Sequence, residues 1–222
     1  MLPRFENKLH DIQFMITTLL QHIVNANNIT LEAYINHDYD GFEKVKSELK
    51  SVGNDANTID NEIIKAFALY GPEAEELRML ISFLKMTNEL VRMGEGVKKY
   101  ARRMRSHCES ECDLATVDSI IVQLHKSSIN ALAYITTCFE NFETCDVEEV
   151  HRKVMVEESK NDDLFSILEK EILTSIMSSG PLSVEYVRIL GTLRKLERTC
   201  DRAVNVANLL LYAKHGGNIH IY

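Results

Sequence analysis

Two pairs of carboxylates are the residues of this 222-residue chain best placed to do chemistry. Glu197 and Asp201 stand four residues apart, and Glu158 and Asp162 have the same spacing upstream. On a helix, residues i and i+4 are offset by only about 40°, so both members of a pair project from one face. Like charges so placed repel each other unless something neutralises them. A shared cation would do so, and four carboxylates from two adjacent helices suit Mg, Mn, Fe or Zn. Neighbouring bases would also serve, because Arg194–Glu197 and Arg198–Asp201 have the i,i+3 spacing of ion pairs. Judged by spacing alone, the ion pairs are the better reading, since a Glu-x-x-x-Asp match is common in helices.

Other chemistry-bearing residues are less well organised. Cys108 and Cys112, with His107 beside them and His125 further on, imitate part of a zinc site, but a second close ligand pair is missing. A polar junction containing thiols explains them. Cys138, Cys145 and Cys200 lack partner spacing, and Cys200 falls in an apolar arc as a small core residue. His215 and His220 flank the last Gly-Gly pair; they could donate to a metal, but the helix dipole and a loose tail explain them equally well. No nucleophile–base–acid arrangement and no Gly-rich phosphate cradle is present. The chain reads as non-enzymatic.

Helices must position the carboxylates, and helical periodicity runs through nearly the whole sequence. Phe5, Leu9, Ile12, Ile16, Leu19, Leu20, Ile23 and Ala26 make one face of a first helix. After a break near Asn36-His37-Asp38, Val45, Leu49, Val52, Ala56, Ile59, Ile63 and Phe67 predict a second. Gly71-Pro72 then stops that helix and starts a third, with Pro at its first position. The third carries Leu77, Leu80, Leu84 and Val91 and ends in the basic run Lys98, Lys99, Arg102, Arg103, Arg105, read as a solvated face whose charges offset the dipole. The second half repeats the plan. A segment from about Leu114 to Phe142 leads to a loop at Glu143–Asp146, then a helix from Val147 to Ile176. Gly180-Pro181 plays the part of Gly71-Pro72, and Gly216-Gly217 cap the last helix. The expected fold is all-α, a tandem of two three-helix bundles: residues 1–107, residues 113–215, and a tail over 216–222.

Composition narrows the function classes. Only 9 Gly and 3 Pro leave little material for an all-β fold. With 33 acids against 25 bases and no long basic stripe, a nucleic-acid partner is not expected. No apolar run approaches the ~20 residues needed to cross a bilayer. The first residues lack a secretory apolar stretch, and five cysteines are an odd number, so a reducing cytoplasm is expected. The face with Tyr34, Tyr39 and Phe42 reads equally as a homodimer interface or as ordinary core.

The segment Leu196-Glu197-Arg198-Thr199-Cys200-Asp201-Arg202-Ala203-Val204-Asn205-Val206-Ala207 resembles the PhoU family signature LERIGDHAxNIA. Its first-half counterpart, Leu84-Lys85-Met86-Thr87-Asn88-Glu89-Leu90-Val91-Arg92-Met93-Gly94-Glu95, is similar to the family's LKIxNDLERIGD. The Gly71–Arg78 stretch resembles the family's QPxAxDLR. Together the resemblance covers about Phe5 to His215. It implies two three-helix bundles and metal clusters on E(D)xxxD motifs. It also implies negative regulation of phosphate uptake and phosphate signalling, through a phosphate ABC transporter ATPase and a phosphate-sensing histidine kinase. Membrane association would then be peripheral, through partners only. With the resemblance, Glu158, Asp162, Glu197 and Asp201 become metal ligands for Fe, Zn, Mn or Mg in preference to ion-pair residues. The first half departs from the motif, with Ala56 and Val91 in place of the leading acids. Only Asp60 and Glu95 remain there, so it should bind metal weakly or not at all. A carboxylate-bridged di-metal enzyme of ferritin-like type is disfavoured, because Glu158 and Glu197 are followed at i+3 by Asn161 and Cys200 where a His is needed. A metal-free helical scaffold is the remaining alternative.

Overall fold

A computed structural model describes residues 3–178 and 180–217; His220 and the rest of the tail beyond Gly217 lie outside the described residues. The chain is all-helical, in the order α1 (Pro3–Ile35), α2 (Tyr39–Glu48), α3 (Val52–Tyr70), α4 (Ala74–Cys108), α5 (Asp118–Glu140), α6 (Val147–Ser178) and α7 (Ser183–His215). No strand occurs among the described residues. The apolar spacing from Val45 to Phe67 predicts one helix, but α2 and α3 divide it. Leu49 leaves the helical region (φ −97°, ψ 14°) while its N–H still bonds the Val45 carbonyl. Leu49 and Val52 are both buried, so the stripe runs on across the break and periodicity cannot reveal it.

Local chemistry sets the corners. His37 adopts a left-handed conformation (φ 52°), and Asp38 then caps α2 by accepting from the Gly41 N–H. Gly71 ends α3 in the left-handed region (φ 54°), which a side chain would strain. Pro72 stands before α4 and not at its first position as the spacing predicts. Glu73 is the N-cap instead, closing a capping box with Glu76. Gly180 and Pro181 lie in a 3-10 turn (Gly180–Leu182) ahead of α7.

The packing order explains where sites can form. α1 lies against α5, and α4 packs along α7, so these four helices join the halves in one continuous core. α3 flanks α4 on one side, and α6 flanks α5 and α7 on the other. Phe83 of α4 meets Phe139 and Phe142 at ring-centroid distances of 5.8 and 5.6 Å, tying the halves together at one end. Contacts Glu89–Arg202 and His107–Glu185 make α4 and α7 antiparallel.

One sequence expectation is corrected here. Cys138 and Cys145 form a disulfide across the α5–α6 corner, although their spacing suggests no pairing. The turn at residues 141–146 brings their Cα atoms to 5.2 Å, and only Cys108, Cys112 and Cys200 remain free thiols. Tyr34 and Phe42 are core residues, and the Tyr34 hydroxyl donates to Asp118 at 2.8 Å. Tyr39 of the same face stays exposed.

Candidate metal centre

α6 and α7 carry the four predicted acids because each helix presents a polar margin beside its buried stripe. Val154, Phe165 and Leu168 anchor α6; Leu193, Leu196, Cys200 and Ala203 anchor α7. Below the acids, a buried polar clamp fixes the relation of three helices. Asn161 is wholly buried on α6 and donates to the Leu124 carbonyl at 2.9 Å and the Ser127 hydroxyl at 2.7 Å, both on α5. Ser128, also on α5, donates to the Leu196 carbonyl of α7 at 3.1 Å. Asn161 enters the sequence reading only as the i+3 neighbour of Glu158, and Ser127 and Ser128 do not enter it. Their signal was present: three small polar side chains at positions where the stripe calls for apolar ones.

The clamp leaves Glu158, Asp162 and Asp201 facing one another, with one oxygen of each within 4.8 Å of the others. None of the three has an ion-pair partner among the described residues. The Arg198–Asp201 pair that spacing allows is not formed. The carboxyl groups sit above their usual range. For Glu158 the causes are burial, then Asp162, then Asp201. For Asp201 they are burial, then Asp162. Asp162 is raised by burial and by Asp163. Like charges crowd here, and Arg202 and Arg198 offset them only from beyond ion-pair distance of Asp201.

Glu197 stands apart from this trio. Its carboxylate lies 3.7 Å from Arg194, whose other nitrogen reaches Glu169 at 3.2 Å. Arg194 also stacks over Phe165, at 5.2 Å from the ring centroid. The Glu197 carboxyl is nevertheless raised, by burial first and then by Asp201, so it borders the group. The Cys200 thiol lies beneath, buried and pushed well up by burial and by the same carboxylates. At the i+3 positions, Asn161 is committed to α5 and Cys200 to the core, so neither supplies an imidazole.

In the first half the acids are spoken for. Asp60 on α3 accepts from the Thr87 hydroxyl of α4 at 2.6 Å. Glu95 pairs with Lys98 at 3.5 Å and Lys99 at 4.0 Å. Ala56 is buried where a leading acid would stand. No group of three potential ligands forms there among the described residues.

The junction thiols and histidines do not assemble into a zinc site either. His125 is buried in the core against Tyr100, with ring centroids 5.0 Å apart, and burial lowers its pKa to about 3, keeping it neutral. His107 lies 2.6 Å from Glu185 and 2.9 Å from the Thr192 hydroxyl. Burial pushes the Cys108 thiol up to about 11, away from the thiolate a metal needs. His215 approaches Glu148 at 3.5 Å.

The family model for the PhoU domain matches twice, over residues 16–104 and 121–210. This chain belongs to the PhoU family. Among curated PhoU-family proteins, it is 25% identical over 219 residues to the "phosphate-specific transport system accessory protein PhoU homolog" of Pseudomonas aeruginosa, covering 97% of this chain and 87% of that one. The Streptococcus pneumoniae homolog of the same description is 23% identical over 216 residues, with 96% of both chains covered. The crystal structure of PhoU from P. aeruginosa superposes with a TM-score of 0.87 at 23% identity, over 96% of this chain and 100% of that one. The fold is thus the PhoU fold.

The donor set fits a metal. All three converging groups are carboxylates, unpaired, on two helices held in register by the Asn161 clamp, and their mutual repulsion is what a cation would relieve.

Proposed function

We propose that this PhoU-family chain is a non-enzymatic, metal-dependent negative regulator of phosphate uptake and phosphate signalling. The observation that carries the proposal is the unpaired trio Glu158, Asp162 and Asp201 between α6 and α7. Glu197 is the fourth ligand once it leaves Arg194. A bound Fe, Zn, Mn or Mg ion supplies charge neutralisation and a cross-link between the two helices. The residues supply oxygen donors and a fixed helix spacing. The relatives' description as accessory proteins of a phosphate-specific transport system supports the physiological role. The partners in this reading are the ATPase subunit of a phosphate ABC transporter and a phosphate-sensing histidine kinase. Both contacts place the chain on the cytoplasmic face, held at the membrane through its partners. No helix among the described residues is long and apolar enough to cross a membrane.

The test is a pull-down from membranes with wild type and Asp201→Ala, with metal measured on both. Co-purification of a phosphate-transport ATPase with metal-loaded wild type, and loss of metal in the variant, is the expected result. A metal-free wild type, or one that captures neither partner, would contradict the proposal.

A further inference from the structure

The opposite margin of α7 carries a second, basic site. The antiparallel crossing of α4 and α7 leaves a cavity of about 300 Å³ whose walls hold Arg92 and Lys99 from α4 and Lys195, Arg198 and Arg202 from α7, against the one carboxylate of Glu95. Of these residues, the sequence reading places Lys99 on a solvated basic face and Arg198 in an ion pair with Asp201. The crossing changes that. Arg92 and Arg198 occupy the same motif position in the two repeats, and an antiparallel pair of equivalent helices turns a residue repeated in sequence into two residues on one cleft.

The charges inside the cleft are not balanced. Arg202 is taken by Glu89 at 2.7 Å, and Lys99 shares Glu95 with Lys98. Arg92, Lys195 and Arg198 have no carboxylate within ion-pair distance among the described residues. A single carboxylate ligand would leave most of this charge uncompensated, whereas a phosphoryl group offers several oxygens and up to two charges. Arginine forks match its tetrahedral oxygens bidentately. The floor is also suited to close approach. A Cβ at Gly96 would come no nearer to its neighbours than 3.8 Å from the Thr199 hydroxyl, so the cleft is open at that point.

We propose that the α4–α7 cleft binds a phosphoryl oxyanion, held by Arg92, Lys195 and Arg198. The ligand is either inorganic phosphate or a short polyphosphate chain, which share this chemistry. The acidic centre lies on the other margin of α7, toward α6, and although Arg198 acts on Asp201 and Glu197 from a distance, the basic site would stand if that centre bound no metal.

The test is isothermal titration of the full chain in chelator, at fixed ionic strength, with inorganic phosphate, pyrophosphate and tripolyphosphate in separate arms. Saturable binding is expected in at least one arm, weakened at least about tenfold each by Lys195→Gln and Arg198→Gln. Binding of inorganic phosphate alone would assign the single anion, and binding confined to the longer species would assign the chain. Circular dichroism checks that each variant is folded, and Arg92→Gln, on an exposed residue, provides a second route if one variant is not. Absence of binding in all three arms would overturn the proposal. So would an affinity untouched by the three substitutions, or uptake of a polyglutamate peptide with no uptake of any phosphate.

Discussion

Between α6 and α7, Glu158, Asp162 and Asp201 face one another with no ion pair among the described residues. Between α3 and α4, the corresponding places hold Ala56, Asp60 and Glu95, and every acid there has a partner. One helical plan has thus been used in two ways. In the second repeat the groove stores like-charge repulsion that a cation can discharge. In the first, an apolar residue at the leading position and a Thr87–Asp60 hydrogen bond close the groove with ordinary packing. The close fit there is visible at Gly94, where an added Cβ would come within 3.2 Å of Val52. The equivalent position in the second repeat is Cys200. The difference is that one groove leaves three acids without ion pairs, while the other pairs its acids or replaces them.

Ways to break this contrast follow in order of expected effect. Ala56→Glu together with Val91→Glu should restore the acid pattern in the first repeat. Because Ala56 is buried, an unpaired carboxylate there should cost the metal-free protein about 3 kcal/mol in urea unfolding. Added Fe, Mn or Zn should recover part of that loss, since a ligand of the folded state raises its stability. No recovery would mean that the leading acid is not what the first repeat lacks.

Glu89→Gln tests the pair that joins the repeats. It removes a partly buried charge-assisted bond to Arg202 and should destabilise by about 1–2 kcal/mol, with metal binding at α6–α7 unchanged. Loss of metal in this variant would show that the two grooves are coupled.

The smallest effect concerns Asp201→Asn without metal. Removing one of three repelling carboxylates should stabilise the apo protein by a few tenths of a kcal/mol. The pH dependence has a definite sign. The native carboxyls lie above their unfolded values, so the folded state holds more protons through that range. Apo stability is therefore greatest at low pH within this cluster's contribution. It declines as pH rises from the ordinary carboxylate range through the raised native values, and Asp201→Asn should flatten that decline in thermal melts. An unchanged slope would mean that the three acids do not share one field.

Much of this was legible in the residues. The periodic stripes of α1, α4 and α7 fix the helices, and the two copies of the Leu-x-Arg motif reveal the duplication. What escaped had physical reasons. The α2–α3 break preserves the stripe, so Leu49 and Val52 read as one helix. The Cys138–Cys145 bond depends on how tightly the α5–α6 turn closes, which spacing does not tell. The partition between Glu197, drawn to Arg194, and Asp201, left unpaired, is set by the position of Glu169 and Phe165 on α6. Spacing within α7 treats both acids alike. The basic cleft required knowing that α4 and α7 cross antiparallel, which no single-helix pattern records.

The most direct test compares metal uptake and the metal-induced rise in melting temperature for wild type, Asp201→Asn, and Asp60→Asn with Glu95→Gln, all in the full chain. The expected outcome is uptake and a rise in wild type, the same in the first-repeat variant, and neither in Asp201→Asn. Equal uptake by Asp201→Asn, or its loss on changing Asp60 and Glu95, would contradict the assignment of the centre to α6 and α7.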